Sequence, residues 1–314
     1  MEAHIREAFF ALVTDCAHTA TLLVHPYQRV LREMPNPSEE MQLAAVTTDG
    51  TAIQWVKNPS EEVQLAAVTS YGWAIEYIRD PSEAVQFAAV TEDGDAIQFI
   101  ENPSEALKLA AVTQEGYAIE YIENPSEALQ LAAATSNGFA IGFSTDPSEE
   151  IQLAAVTQHG WAIKEIKDPS EKIQLAAVTQ IASAIQYIEN PSEALQLVAV
   201  AQIGFAIEHI KNPSEEVQLA AVTRTQAAIG NITNPSEELQ LFAVRKHGHV
   251  IQYIQNPSEA VQLAAVTQCG NSIYYIKTHV SEAVKLAAVK RTSGAIQYIP
   301  DPSEAVKRAA LGNQ

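Results

Sequence analysis

From Asn36 onward the chain is written in units of 22 residues. That repetition constrains the fold more than any other property. A block of about 22 residues buries too little surface to offset its own chain entropy, so each block must lean on its neighbours. The first copy, Asn36 to Lys57, reads N-P-S-E-E-M-Q-L-A-A-V-T-T-D-G-T-A-I-Q-W-V-K, and proline recurs every 22nd residue from Pro37 to Pro257. Register then slips by one residue, where Thr278-His279-Val280 stands in place of Asn-Pro, and resumes so that Pro302 opens a half unit. About twelve and a half units result.

Each unit reads as two short helices joined by turns. Ala, Glu, Gln and Leu dominate and strand-type alternation is absent, so the expectation is an all-α solenoid of helix-turn-helix repeats. Asn36 is a candidate N-cap with Pro37 in the first turn and Glu39 as a capping-box partner; Ser38 is the rival cap. Gly50 is expected to stop the helix in a left-handed conformation. The second helix, carrying Ala52, Ile53 and Val56, is too short to decide between α and 3-10. Met41, Ala44 and Ala45 share one stripe and Leu43 and Val46 another, so the first helix is expected to be buried on two sides. Cutting a repeated leucine such as Leu131 to Ala is then expected to cost about 2–5 kcal/mol.

Domain organisation follows from the register. Residues 1–35 are expected to form an N-terminal helical cap, with an amphipathic helix from Ile5 to Val13 and a second-helix-like stretch ending at Met34. Residues 36–300 are the tandem repeats, and 301–314 a C-terminal half repeat or cap, where Arg308 replaces the usual leucine. The E-x-V-x-L-A-A-V core, seen for example from Glu215 to Val222, resembles two groups of short helical repeats. One is the leucine-rich repeat variant, which implies α-helices paired with 3-10 helices in a right-handed superhelix. The other is a domain-of-unknown-function repeat of bacteria, phages and giant viruses. The iron–sulfur cysteine cluster reported for one leucine-rich-variant type has no counterpart here.

Charge and motifs exclude several function classes. With 38 Asp+Glu against 19 Lys+Arg the net charge is −19. That argues against direct nucleic-acid binding through a basic face and against docking on an anionic membrane. Cys16 and Cys269 are too few for a disulfide scaffold or a cysteine-rich metal site. The chain has no apolar run of about 20 residues and no signal-peptide pattern at its start, so a cytoplasmic location is expected, in a host cytoplasm if the chain is viral. No phosphate loop, nucleophile elbow or zinc-protease helix appears, and the histidines are scattered over different slots. Neither catalysis, nor a metal, nor any other cofactor is expected.

The slots that vary from unit to unit are the place to look for function. The slot after the glycine and the slot four residues later are rich in rings: Trp55, Trp73, Tyr77, Phe99, Tyr117, Tyr121, Phe139, Phe143, Trp161, Tyr187, Phe205, Tyr253 and Tyr275. On an α-helix, pairs such as Trp73/Tyr77, Tyr117/Tyr121 and Phe139/Phe143 would be neighbours and form a stripe. The stripe either seals the groove between units or presents anchors to a partner. A row of glutamates (Glu39, Glu61, Glu83 and onward) gives capping or an acidic face. Arg224, Arg245, Lys246, His247 and His249 form a candidate local basic site. The expected role is a non-catalytic scaffold that binds a protein with a basic surface. The alternatives are an acidic decoy imitating nucleic acid, such as a viral inhibitor of a host defence protein, and a self-assembling solenoid or homodimer. Spread along stacked helices about 8–10 Å apart, the net charge amounts to roughly one per 5–6 Å, against one per about 1.7 Å in duplex DNA. Any imitation therefore needs local clustering.

Overall fold

The structure, a computed structural model, describes residues 31, 32, 34 and 36–312. Among them every repeat is an α-helix of ten residues followed by a 3-10 helix of six, as in Glu61–Ser70 and Gly72–Tyr77, and no strand occurs. This is the all-helical solenoid the repeat demands. The helix expected over Ile5 to Val13, and most of the cap, lies outside the described residues; of the stretch ending at Met34, Leu31 is buried.

The hydrogen bonds settle the type of the second helix. Ala74 N–H donates to Tyr71 O and Ile78 N–H to Ile75 O, both at three-residue spacing. Three residues per turn bring Ile75 and Ile78 onto one edge, and both are buried. The core of one repeat is Val63, Ala67, Val68, Ala74, Ile75 and Ile78, and the same slots are buried down the chain except at Ser144, Ile276 and Ile296. Contacts divide the chain into two units, Met1–His159 and Gly160–Gln314. Within each, consecutive α-helices touch and consecutive 3-10 helices touch, for example Glu39–Thr48 on Glu61–Ser70 and Gly94–Phe99 on Gly116–Tyr121.

The backbone settles the choice of cap and corrects the role of the glycine. The N-cap is the serine: Ser104 has extended backbone, and its Oγ accepts from Leu107 N–H at 3.2 Å. The residue before each proline has a different task. Asn58, Asp80, Asn102 and their counterparts through Asp301 adopt φ between 47° and 60°. Asn and Asp tolerate that left-handed conformation better than other side chains, which is why only they fill the slot wherever the proline register is kept. No glycine has positive φ. The helix instead leaves through an extended residue such as Tyr71 (φ −157°), and the glycine that follows is required by space. A Cβ on Gly116 would stand 2.7 Å from Ala133 O and 2.7 Å from Asn137 Cβ of the next repeat.

The glutamate row is not a capping box. Glu61 Oε1 accepts from Ser82 Oγ of the next repeat at 2.5 Å, and Ser60 donates likewise to Glu39. In these repeats the cap serine thus ties its own helix to the preceding one. A glutamine closes the same loop: Gln64 Nε2 donates to Pro59 O at 3.0 Å. The repeated leucine is also placed differently from expectation. Leu131 is only half-buried and Leu109, Leu175 and Leu219 are exposed at about 45%. The fully buried slots are those two before and two and three after it, so the leucines form a ridge on the outer side of the α-helices. Ser144, in a slot held by isoleucine in nearly every other repeat, is half-buried with its Oγ unpartnered. At the register slip, Gln262 is buried and donates to Pro257 O, Thr278 Oγ1 and His279 O, so the inserted residue is folded over it.

Candidate functional site

The variable slots converge because repeats stack, and not because of helical spacing within one repeat. The ring contacts run from the slot after one glycine to the ring slot of the next repeat. Trp73 meets Phe99 edge-on at 5.5 Å, Tyr117 meets Phe143 at 6.0 Å, and His249 meets Tyr275 at 5.4 Å. Each pair is separated by 26 residues, the 22 of a repeat plus four. The expected Trp73/Tyr77 type of pairing belongs to an α-helix, and these residues sit on 3-10 helices.

A third slot joins each pair, and the sequence reading passed it over. It is the residue just before the glycine. Phe139 packs edge-on against His159 at 4.7 Å, and His249 Nε2 lies 3.3 Å from Cys269 Sγ. The slot holds Asp49, Tyr71, Asp93, Glu115, Asn137 and His159 in one unit. In the other it holds Ile181, Ile203, Thr225, His247, Cys269 and Thr292. It varies as freely as the two aromatic slots, and that was the available signal. Each facet of the seam therefore combines a post-glycine residue with a pre-glycine and a ring-slot residue of the next repeat.

Of the aromatic candidates, Trp55, Tyr77, Tyr117, Tyr121, Phe143, Trp161, Tyr187, Phe205 and Tyr253 are exposed, from 36% at Trp55 to 46% at Tyr253. Trp73, Phe99, Phe139 and Tyr275 are half-buried. One flank of the ring row thus lies against a neighbouring repeat and the other faces solvent. Arg32 stacks over Trp55 at 5.1 Å, and Trp161 Nε1 donates to Ser183 Oγ at 2.9 Å. Tyr274, not singled out from the sequence, is 63% exposed and bridges Tyr275 and Tyr298.

Charge is concentrated on parts of this seam. Asp95 has its carboxyl pushed above the ordinary carboxylate value, first by burial and then by Asp93, Glu115 and Glu120. The Tyr121 hydroxyl is raised above the ordinary tyrosine value by burial, then by Asp95, Glu120 and Asp93. Asp93 and Glu115 accept from the backbone N–H two residues on, at 3.0 and 3.3 Å. The basic candidates occupy the corresponding turns of other repeats. Arg224 Nε donates to Gln202 O at 3.1 Å, Lys246 lies 5.8 Å over Phe242, and Arg245, His247 and His249 are exposed.

Open clefts recur where the loop of one repeat faces the next. One of about 700 Å³ is lined by Tyr187, Asn190, Pro191, Gln196, His209 and Lys211. A similar one lies between Tyr253 and Tyr275. Among the described residues no three His, Cys, Asp or Glu side chains are grouped to hold a metal, and no helix is long and apolar enough to cross a membrane.

No family model matches the chain, and neither does any curated protein or solved structure. The class of protein is accordingly defined by the fold alone, a tandem helical-repeat solenoid with a variable seam.

Proposed function

We propose that the chain is a non-catalytic scaffold, working in the cytoplasm, that binds another protein along the seam of its 3-10 helices. The observation that carries this reading is the sorting of the repeat. The fully buried slots admit only aliphatic or small residues, whereas three slots that change freely in size, polarity and charge meet on the seam of each unit. A solenoid gains nothing in stability from such variety, and multipoint contact along a row of facets makes use of it. Exposed Trp and Tyr supply anchors that pack well at low entropic cost, and the acidic surroundings steer a basic partner.

The test replaces Trp73, Tyr117 and Trp161 together by Ala. Partners captured from the native host are identified by mass spectrometry, and one is then titrated against both proteins. Binding is expected to weaken more than about tenfold while the melting transition is kept. Unchanged affinity with unchanged stability rejects the seam as the binding face.

A second reading, the acidic decoy for a nucleic-acid-binding protein, is favoured by one observation. Glu92, Asp93, Asp95, Glu115 and Glu120 supply the local clustering that the average charge density lacks. Capture by a decoy collapses as ionic strength rises; capture that persists at about 1 M salt, where the Debye length is about 3 Å, rejects it.

A further inference from the structure

Where the turns that lead out of the α-helices carry charge, it is acidic in the first unit and basic in the second. In the repeats from Thr47 to Phe139, the last two helical residues and the two slots flanking the glycine hold Asp49, Glu92, Asp93, Asp95 and Glu115 and no base. In the repeats from Thr223 to Gly294, the same slots hold Arg224, Arg245, Lys246, Lys290 and Arg291 and no acid. Between Thr179 and Phe205 they hold no charge at all.

The fold accounts for the bases better than for the acids. A cation in the last turn of an α-helix complements the negative end of its dipole, and an anion there opposes it. Asp93 and Glu115 do cap the 3-10 helix that follows, yet Asn137 does the same from the same slot at 3.1 Å with no charge. The charge is therefore dispensable for folding, and it comes with repulsion: Asp95 is held between Asp93 and Glu115. A group of acids that opposes its own helices calls for cations from outside. The five bases are exposed. Arg291 Nε reaches Gln268 O at 3.3 Å and Arg224 Nε reaches Gln202 O at 3.1 Å, each using one guanidinium nitrogen of three. The same turns carry rings in both units, Tyr71 and Tyr117 beside the acids and His249 with Tyr275 beside the bases.

We propose that two copies of this chain associate by seating the acidic turn edge of one on the basic turn edge of the other. The inference rests on the binding-scaffold reading and gives the acidic seam a partner whose chemistry is on the same chain. The contact joins two different surfaces, so a single one links copies head to tail, and two related by a two-fold axis close a dimer.

The experiment uses the full chain in light scattering and sedimentation at about 0.1 M and about 1 M salt, where Debye lengths of about 10 and 3 Å bracket contact-range attraction. Two variants are made. One is Asp93→Lys with Glu115→Lys, which reverses the acidic edge. The other is Lys246→Glu with Arg291→Glu, which reverses the basic edge. The wild type is expected to exceed its 34.0 kDa monomer mass at the lower salt and to fall to it at the higher. Each variant alone is expected to be monomeric, and an equimolar mixture of the two to associate again, because each then offers what the other lacks. A wild type that stays monomeric at every concentration overturns the proposal. So does association that persists at high salt and in both variants, which would place the contact on the leucine ridge or elsewhere. So does a mixture that stays monomeric while its components are folded by circular dichroism. In each of these cases a foreign partner lost on replacing Trp73, Tyr117 and Trp161 leaves the scaffold reading standing.

Discussion

The glycine that follows most of the α-helices offers a sharp test, because unfolded-chain entropy and close packing predict opposite signs. Gly116 lacks positive φ, so alanine fits its backbone. The added Cβ would nevertheless stand 2.7 Å from Ala133 O, 2.7 Å from Asn137 Cβ and 2.9 Å from Asn137 N of the following repeat. Ordinary carbon contacts are about 3.5–4.0 Å, so the two repeats must part by on the order of 1 Å. Overpacking of that kind costs about 1–3 kcal/mol. Reduced entropy of the unfolded chain returns about 0.4–1 kcal/mol. The net expectation for Gly116→Ala is a loss of about 1–2 kcal/mol, read as a lower urea midpoint by circular dichroism. Gly294 is the control, since nothing lies within 4 Å of its added Cβ and its φ is not positive. Gly294→Ala should gain about 0.4–1 kcal/mol. A Gly116→Ala protein as stable as the wild type, or more so, refutes the packing argument. Ala182, Gln226 and Ser293 stand in the same slot, so three repeats already accommodate a Cβ there and the cost should be local spacing rather than unfolding.

Three further outcomes follow from the same geometry. Leu107→Ala should cost about 2–5 kcal/mol and Leu109→Ala about 1 kcal/mol or less, since Leu107 is 1% and Leu109 45% exposed on one helix; equal urea midpoints would contradict the assigned core face. Ser104→Ala should cost about 1 kcal/mol through the lost cap to Leu107 N–H, and an unchanged melting temperature would return the cap to the asparagine. Asp95→Asn should stabilise the protein at neutral pH by about 0.2–1 kcal/mol, the range for a half-buried charge still screened by solvent. Because the folded-state pKa is raised, the penalty on the fold is complete above it and is relieved as pH falls through it to the ordinary carboxylate value. The variant's advantage should therefore shrink on acidification, and an advantage independent of pH would show that charge is not its cause.

The architecture was legible because the same 22 letters recur, and stacking follows from the entropy of so short a block. What stayed hidden was which of several suitable residues performs each local task. Asn and Ser are both good N-caps, and nothing in N-P-S-E separates them. The structure assigns Ser104 the cap and leaves Asn102 the left-handed turn, since only the helix start fixes the count. A glycine after a helix reads as a left-handed stop, and the neighbour that crowds a Cβ at Gly116 lies in the next repeat, out of reach of local pattern. The aromatic residues were found, but their partners were assigned by α-helical spacing, which a six-residue 3-10 helix does not obey. Leu131 was given to the core because it is leucine and repeated, although its slot faces half outward. The pre-glycine slot, with Asp93, Glu115 and Cys269, was visible as a variable column, and its relation to Asp95 and His249 depends on register between repeats.

Register between repeats is thus the claim on which the seam, its facets and its charge pattern all stand, and a disulfide reads it directly. A Cβ built on Gly230 lies 3.1 Å from Tyr253 Cβ in the next repeat. That is close to the roughly 3.5–4.5 Å a disulfide needs. The protein carrying Gly230→Cys and Tyr253→Cys, with Cys16 and Cys269 replaced by Ser, should form one intramolecular bond between positions 230 and 253 under mild oxidation, found by peptide mapping. Free thiols at both positions, or bonds only between molecules, would contradict side-by-side stacking in a 22-residue register.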